Sequence, residues 1–341
     1  MNMTKANYRF SRAAVDYYFD ARFSDLKHIS EGKRIILVTD EHVHAAHPAL
    51  FRKQDVIVLK PGEEYKVQPT VDAVIEQLIR FEADRRTMLV GVGGGVVTDI
   101  TGYAASVYMR GIPFGFVPTS LLAMVDASIG GKNGIDVGPY KNMVGVIRQP
   151  SFLLYDISLL KSLPDAEWSN GFAEIIKHAC IRDKAAFDML EKEGMGTFRR
   201  SRSKLAALVE RNARLKSAVV VKDEFEKGDR KLLNFGHTLG HALETQYELS
   251  HGQAISIGMA HACRLSAQLT GFKGTARVTG LLNAYGLPTE AKFNWKKVLG
   301  ILRMDKKRVN AGMSYVLLEK IGKGVIEHIG LEELEERLTR P

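Results

Sequence analysis

The chain has 341 residues, of which 45% are hydrophobic and 26% are charged, and its formal net charge is +9. This length allows two domains of ordinary size, and the composition excludes a disordered or fibrous protein. Because the basic residues are mostly dispersed or adjacent to acidic ones, the positive charge favours small anionic ligands over nucleic acid.

The sequence also favours a cytoplasmic protein without a membrane partner. The N-terminal residues contain no apolar h-region, and no apolar segment reaches the ~18 residues that a membrane helix needs. Cys180 and Cys263 are far apart in the sequence, which fits two buried thiols in a reducing compartment.

In the first part of the chain, short apolar segments alternate with helical ones. The predicted elements are strands at residues 34–40 and 55–60, a helix at 70–83, a strand, glycine turn and helix within 87–110, and a strand within 113–120. This alternation predicts a Rossmann-like parallel sheet covered by helices, in an α/β nucleotide-binding domain at residues 1–157.

After about Pro150 the sequence changes to long amphipathic segments. Helices are predicted at residues 166–182, 184–193, 204–222, 232–247 and 253–269, and a strand pair at 314–329. These segments predict a mostly α-helical second domain at residues 158–341. We expect the active site to lie in a cleft between the two domains.

The segment GVGGGVVTDITG (residues 91–102) follows a predicted strand and opens a predicted helix. Its glycines would let a phosphate approach the backbone N–H groups of a helix N-terminus, which favours a dinucleotide. The spacing departs from G-x-G-x-x-G, so a tight turn made for close packing is the alternative. Asp99, expected in the first helical turn, could cap the helix or accept a ribose hydroxyl.

The segment at residues 124–146 is too apolar for a solvent-exposed loop, yet it contains Lys132, Lys141 and two aspartates. A buried lysine needs a partner of opposite charge. An anionic substrate could supply that partner, or the aspartates could form internal ion pairs.

Three histidines and a glutamate form a candidate metal site. His237 and His241 are four residues apart and share a helix face, and His251 follows in a predicted loop. Together with Glu174 they match a catalytic zinc site, which has three protein ligands and one open position. The alternative is ordinary polar residues on a solvated helix.

Basic and amide side chains accompany this candidate site. Lys177 is one helical turn from Glu174, and Arg230 and Asn234 come shortly before His237. Arg230, with Lys216, could bind a carboxylate. Lys306 and Lys307 lie in a predicted exposed segment, where they could contact a substrate or be surface charge.

Seven ordered motifs resemble the 3-dehydroquinate synthase family of the sugar phosphate cyclase superfamily. They are PGEEYK, GGGVVTDITGYAASVYMRGI, VPTSLLAMVDASIGGKNGID, YKNMVGVIRQP, LPDAEWSNGFAEIIKHA, RKLLNFGHTLGHALE and HGQAISIGM. The resemblance covers most of the chain. It implies an N-terminal NAD-binding α/β domain and a helical, metal-binding C-terminal domain, usually in a homodimer.

The resemblance also implies roles for individual residues. Zinc or cobalt would be held by Glu174, His237 and His251. NAD⁺ would contact Asp40, His42, Glu63, Lys66, Gly94, Gly95, Val96, Asp99, Thr119, Ser120, Asp126, Lys132, Lys141, Leu159 and Ser162. The substrate would contact Asp126, Lys132, Lys141, Asn142, Lys177, Lys216, Arg230, Asn234 and either Lys306 or Lys307. His241 would bind on the phosphate side, and Arg110 would reach the phosphate across the dimer interface.

The implied reaction converts 3-deoxy-D-arabino-heptulosonate 7-phosphate, a sugar-acid phosphate, to 3-dehydroquinate and phosphate. Sister cyclases act on sugar phosphates that lack the carboxylate, so Lys216, Arg230 and Asn234 favour the dehydroquinate branch. The rival hypotheses are another sugar phosphate cyclase, a metal-dependent polyol or glycerol-phosphate dehydrogenase, and a non-catalytic nucleotide-binding regulator. The chain departs from the family pattern at His42, Thr98 and Gln253. Gln253 could alter the orientation of His251, and Thr98 could shift the glycine turn.

Overall fold

The computed structural model describes residues 3–138, 140–306 and 312–339. The chain forms two compact units, each built from two segments. The first unit comprises Met1–Trp168 and Arg202–Phe225, and the second comprises Ser169–Ser201 and Glu226–Pro341. The helix predicted at residues 204–222 therefore belongs to the first unit, although the sequence analysis placed it with the second domain.

The described residues form strands and α-helices that we number in chain order. The strands are β1 (Thr4–Arg9), β2 (Ala14–Phe19), β3 (Ile35–Asp40), β4 (Asp55–Leu59), β5 (Met88–Gly93), β6 (Phe114–Pro118), β7 (Lys132–Val137), β8 (Tyr140–Ile147), β9 (Phe152–Leu154), β10 (Gly312–Lys320) and β11 (Lys323–Gly330). The helices are α1 (Leu26–Ile29), α2 (Glu41–Ala46), α3 (Gln68–Arg80), α4 (Gly95–Val107), α5 (Asp165–Arg182), α6 (Lys184–Arg200), α7 (Arg202–Lys222), α8 (His237–Gln246), α9 (His251–Leu269), α10 (Thr275–Ala284), α11 (Trp295–Lys306) and α12 (Leu331–Thr339).

The first unit contains a seven-stranded sheet in the order β1-β2-β9-β6-β5-β3-β4. Strand β1 is antiparallel to β2, and the other neighbouring pairs are parallel. All residues of β5 and β6 are buried, as expected for central strands of a parallel sheet that is covered on both faces. The predicted Rossmann-like parallel sheet is therefore confirmed.

The strand order places a topological switch point between β3 and β5. From β3 the chain passes through α2 to β4 on one side, whereas from β5 it passes through α4 to β6 on the other. Ligands of open α/β sheets bind in the crevice at the carboxyl ends of such strands. Asp40 and Gly94 lie at these two ends, where the sequence analysis expects the nucleotide.

The second unit is mostly helical, and its β10–β11 hairpin confirms the predicted strand pair. The predicted helix at 232–247 is shorter than expected, because Asp229–Asn234 forms a 3-10 turn and α8 begins only at His237. The loop position predicted for His251 is wrong, since His251 is the first residue of α9. Within the described ranges, no helix combines the length and apolar character needed to cross a membrane.

The apolar segment at residues 124–146 is not buried as a whole. It begins in a π-helical turn, Ala123–Ala127, and continues into the antiparallel β7–β8 hairpin. Although the segment was expected to be too apolar for a solvent-exposed loop, Lys132 is exposed and Lys141 is half-buried. Several large apolar side chains of the hairpin are also exposed, namely Val137, Tyr140, Met143, Val144 and Ile147.

Candidate active site

Glu174 of α5, His237 of α8 and His251 of α9 form a cluster in the second unit, in which the first two residues are buried and His251 is half-buried. Each offers one ligand atom, and these atoms lie within 4.8 Å of one another. Oε1 of Glu174 is 3.3 Å from Nε2 of His251 and 3.5 Å from Nε2 of His237. One carboxylate and two imidazoles at this spacing fit a divalent ion such as zinc, with a further coordination position left open. These are the three residues that the sequence analysis assigned to the metal.

The surroundings shift the pKa values of the two imidazoles of the cluster in opposite directions. Nδ1 of His237 lies 3.2 Å from the carbonyl oxygen of Phe235, and in the tautomer that donates to this oxygen Nε2 is the unprotonated nitrogen, which a cation can bind. Burial and the nearby Lys177 lower the pKa of His237 well below its usual range. Burial alone would lower the pKa of His251 as well, but hydrogen bonds to Glu174 and Glu244 outweigh it and raise the pKa to about 10. The raised pKa favours the protonated form of His251, and a cation that binds through its imidazole must displace that proton.

Lys177 holds the carboxylate of Glu174 from the other side. It lies one turn later on α5, and its ammonium contacts Oε2 of Glu174. Lys177 is 1% exposed and Glu174 is 0% exposed, so each charge needs the other. This ion pair engages Oε2 and leaves Oε1 directed at the two imidazoles.

Close packing of α8 against α9 brings His237 and His251 together. A Cβ atom at Gly258 would lie 1.9 Å from the carbonyl oxygen of Gly236. Gly236 has φ +79 and directly precedes His237, at the start of α8. A larger residue at position 258 would have to push the two helices apart and would separate the histidines that they carry.

His241 is adjacent to the cluster without belonging to it. It is exposed on α8, and its ring centroid is 5.1 Å from that of His237 and 6.5 Å from that of His251. The 3-10 turn before α8 holds Arg230, which is buried, and Asn234, whose Nδ2 donates to Oε1 of Glu226 at 2.5 Å. One stretch of the second unit thus offers a guanidinium, an amide and imidazoles, although their contacts with a substrate remain predictions.

The glycine turn of the first unit connects β5 to α4 as predicted. Gly94 directly precedes α4, and the N–H of Thr119 donates to the carbonyl oxygen of Gly93 at 2.9 Å. Thr98 is buried and donates from Oγ1 to the carbonyl oxygen of Gly95 at 2.9 Å, so its hydroxyl is bonded within the helix. The predicted nucleotide residues near the carboxyl ends of β5 and β6 are Gly94, Gly95, Val96, Thr119 and Ser120.

Lys66 is the centre of a polar network beside this turn. Its Nζ lies 2.6 Å from Oδ2 of Asp99, 2.7 Å from Oδ1 of Asn142 and 3.7 Å from Oε1 of Glu63. Asp99 lies in the second turn of α4 and not in the first as predicted, so of its two possible roles the helix cap is excluded and the ribose contact stays a prediction. Burial raises the pKa of Asp99 to about 6, while the charge of Lys66 opposes this rise.

Asn142 adopts a strained backbone conformation within this network. Its φ is +54, in the left-handed region, which asparagine tolerates better than most residues. The N–H of Asn142 donates to Oδ1 of Asp136 at 2.6 Å, and its side chain accepts from Lys66. The network thus places together Asn142, predicted to contact the substrate, and three residues predicted to contact the nucleotide.

Lys216 pairs with an aspartate in the same unit. Its Nζ lies 2.8 Å from Oδ1 of Asp126 and 2.8 Å from the carbonyl oxygen of the same residue. Lys141 is half-buried and lies 3.9 Å from Glu63. An internal ion pair of the kind expected for this segment therefore exists, but it joins Asp126 to a lysine on α7.

The other predicted residues occupy varied surroundings. Oδ1 of Asp40 accepts from the N–H of Val43 and caps α2, on which His42 is exposed. Leu159 belongs to the apolar core, and Oγ of Ser162 lies 2.7 Å from Nε2 of His47. Arg110 is exposed, with φ +65. Lys307 and the side chain of Lys306 lie outside the described residues.

Two residues beside the cluster were missed by the sequence analysis. Oε2 of Glu244 lies 3.5 Å from Nδ1 of His251, where it can orient the ring. Its spacing of seven from His237 places it on the same helix face, which was a usable signal. Oδ1 of Asn170 accepts hydrogen bonds from the residues before and after His251. This contact joins residues about 80 apart in the sequence, and no pattern of residue spacing predicts it.

Comparison with known proteins agrees with this architecture. A solved 2-deoxy-scyllo-inosose synthase, complexed with carbaglucose-6-phosphate, NAD⁺ and Co²⁺, is 25% identical with a TM-score of 0.86, over 98% of this chain and 99% of that one. The 2-epi-5-epi-valiolone synthase ValA of Streptomyces hygroscopicus subsp. jinggangensis 5008, with NAD⁺ and Zn²⁺ bound, is 26% identical with a TM-score of 0.85, over 99% and 97%. The fold is that of the sugar phosphate cyclases.

The sequence comparisons are more specific. The family models for the 3-dehydroquinate synthase N-terminal and C-terminal regions match residues 56–170 and 171–308. A 3-dehydroquinate synthase of Thermodesulfovibrio yellowstonii is 39% identical over 293 residues, which is 83% of this chain and 81% of that protein. The chain therefore belongs to the 3-dehydroquinate synthase family.

Substitution of a cluster residue should remove metal binding, whereas substitution of the neighbouring histidine should not. We expect Glu174→Gln, His237→Ala and His251→Ala to weaken zinc or cobalt binding by more than the roughly 10–100-fold typical of residues that only orient a ligand. His241→Ala, one turn from His237, is the matched control and should retain the ion. Elemental analysis and titration against a chelator measure both. Loss of the ion in His241→Ala but not in His251→Ala would contradict the assignment.

Proposed function

We propose that this protein is a 3-dehydroquinate synthase, a carbon–oxygen lyase of the shikimate pathway. It converts 3-deoxy-D-arabino-heptulosonate 7-phosphate to 3-dehydroquinate and phosphate. The observation that carries the proposal is the cluster of Glu174, His237 and His251 in a chain that belongs to this family. The free, buried thiols of Cys180 and Cys263 support a cytoplasmic location.

The reaction has no net oxidation. The C5 alcohol of the substrate is oxidised, phosphate is eliminated, the ketone is reduced again, and the opened ring closes by an intramolecular aldol step. A zinc or cobalt ion at the cluster would polarise the C5 oxygen, and NAD⁺ would accept and return the hydride. The protein supplies the binding, orientation and electrostatic environment for these steps.

The cations of the chain suit a substrate with one carboxylate and one phosphate. We assign the substrate carboxylate to Arg230, because a buried guanidinium can bind a carboxylate through two parallel hydrogen bonds. Lys216, a second buried cation, is also assigned to the substrate. We assign Lys177 to the reacting end, since it lies against Glu174. His241, exposed beside the cluster, is assigned to the phosphate side, where an imidazole N–H can donate to a phosphate oxygen.

The nucleotide is assigned to the first unit. The support comes from the glycine turn between β5 and α4, the switch point beside Asp40, and the network of Lys66, Asp99 and Glu63. A helix N-terminus with exposed N–H groups favours a pyrophosphate. Asp99 is assigned to a ribose hydroxyl, because a carboxylate oxygen can accept a hydrogen bond from it.

Phosphate release tests the proposed reaction. Purified protein with NAD⁺ and zinc or cobalt should release inorganic phosphate from the heptulosonate phosphate without accumulating NADH, and Glu174→Gln should release at least ~100-fold less, because removing a group that acts in the transition state costs several kcal/mol. Turnover of a sugar phosphate without the carboxylate, but not of the heptulosonate phosphate, would assign the protein to a sister branch. Sustained NADH formation with a simple polyol would indicate a dehydrogenase.

We further propose a homodimer in which Arg110 serves the neighbouring active site. The observations that support this proposal all concern residues of the first unit. Arg110 follows Met109 in a strained turn after α4, with φ values of +65 and +48. Met109 is 44% exposed, and the β7–β8 hairpin, which packs against α4, exposes several apolar side chains. Exposed apolar side chains in such number are typical of an interaction surface.

Mixed dimers test the role of Arg110. Arg110→Ala and Glu174→Gln should each be inactive alone. After subunit exchange at equal amounts, about a quarter of wild-type activity should return, because half of the dimers are mixed and one of the two sites in each is intact. Exchange is verified with two differently tagged chains. If mixed dimers form and stay inactive, Arg110 does not act across the interface.

The pKa of Asp99 predicts how NAD⁺ binding depends on pH. A carboxyl with a pKa of about 6 is charged above that pH and protonated below it. NAD⁺ affinity should therefore level off above about pH 7 and fall by up to roughly tenfold per pH unit well below pH 6, as the charged acceptor becomes a neutral carboxyl. Titration calorimetry from pH 5 to 8 measures this, with Asp99→Asn as the control that removes the step. An unchanged pH profile in Asp99→Asn would contradict the prediction.

A further inference from the structure

Asn170 lies on α5, one turn before Glu174, and is 5% exposed. Its Oδ1 accepts a hydrogen bond from Oγ of Ser250 at 2.7 Å and another from the N–H of Gly252 at 3.0 Å. Ser250 and Gly252 are the residues immediately before and after His251. A single amide oxygen therefore binds the side-chain hydroxyl of the residue before His251 and the backbone N–H of the residue after it.

The backbone at Gly252 packs so closely against α5 that it leaves no room for a side chain. A Cβ atom at Gly252 would lie 2.6 Å from the Cα of Asn170, so α5 and the start of α9 approach each other too closely for any side chain at this position. Ser250 caps α9, and its own N–H donates to Oε1 of Gln253 at 3.0 Å. Gln253 thus completes a capping box, and its effect on His251 is exerted through the backbone.

The position of His251 makes this attachment important. A residue in the first turn of a helix lies where intrahelical hydrogen bonds are missing and helices fray. His251 must nevertheless keep Nε2 at 3.3 Å from Oε1 of Glu174, which is 77 residues away in the sequence. Asn170 and Glu244 contact different parts of this segment: Glu244 lies beside the ring, and Asn170 holds the backbone.

We propose that Asn170 is a positioning residue of the metal centre. By attaching the first turn of α9 to α5, it fixes the distance between the two ligands Glu174 and His251 before a cation binds. This inference rests on the proposed metal site. It assigns Asn170 no contact with substrate, nucleotide or ion, because its oxygen is engaged by Ser250 and Gly252.

Two substitutions at this position separate positioning from mere packing. Asn170→Ala removes the acceptor, whereas Asn170→Asp keeps an acceptor oxygen of the same shape, and a negative charge is favourable at a helix N-terminus. We expect zinc and cobalt affinity, measured by competition with a chelator, to fall roughly 10–100-fold in Asn170→Ala and to stay within a few-fold of wild type in Asn170→Asp. The absorption spectrum of bound Co²⁺ should change in the alanine variant and not in the aspartate variant.

Controls make each outcome decisive. Asn283→Ala, at an exposed position on α10, should leave metal affinity unchanged, and circular dichroism with thermal unfolding verifies that each variant is folded. If Asn170→Ala does not fold, Ser250→Ala replaces it in the test. This substitution removes one of the two hydrogen bonds to Asn170 and should weaken metal binding several-fold. Wild-type affinity and spectrum in Asn170→Ala, or in Ser250→Ala where that variant replaces it, would overturn the proposal. A wild-type protein that binds metal but releases no phosphate would instead refute the proposed reaction and leave this test valid.

Discussion

The second unit is organised around a carboxylate that has no contact with water. Glu174 is fully buried, and a buried charge is retained only if opposite charges and hydrogen bonds replace the lost solvation. Lys177 covers one carboxylate oxygen, while His237 and His251 face the other. Removing one partner from such an arrangement typically costs about 3–5 kcal/mol, because the remaining charge is left uncompensated. The partners that compensate the charge of Glu174 lie on α5, α8 and α9, so the burial of this carboxylate depends on the relative positions of these three helices.

Close contacts that involve the backbone hold these three helices together. The carbonyl of Gly236 against Gly258 brings α8 to α9, and Asn170 against Gly252 brings α5 to the start of α9. Small residues are required at these contacts for a steric reason, whereas the histidines and the glutamate are required for a chemical one. Close backbone contacts of this kind preorganise the candidate metal ligands before an ion binds.

The sequence predicted best where one physical signal dominated. Strands β3 and β5 are short apolar segments next to turn residues, and their burial in a parallel sheet follows directly. The metal residues came from the resemblance, since the spacing alone also allowed ordinary histidines. The start of α9 was mispredicted although Ser250 and Gln253 carry the capping-box signature. The exposure of the β7–β8 hairpin could not be predicted, because burial of apolar strand residues depends on what packs against them.

Buried lysines occur in both units, and each has the same kind of partner. Among the described residues they are Lys66, Lys177 and Lys216, and each contacts a carboxylate, of Asp99, Glu174 and Asp126 respectively. Apolar side chains of similar volume would usually be as stable as a buried ion pair, or more stable by about 1–4 kcal/mol. Stability therefore does not explain why this chain keeps three such pairs. All six residues belong to the set that the resemblance implies for nucleotide, metal or substrate, so the need to bind charged ligands accounts for them better than the need to fold.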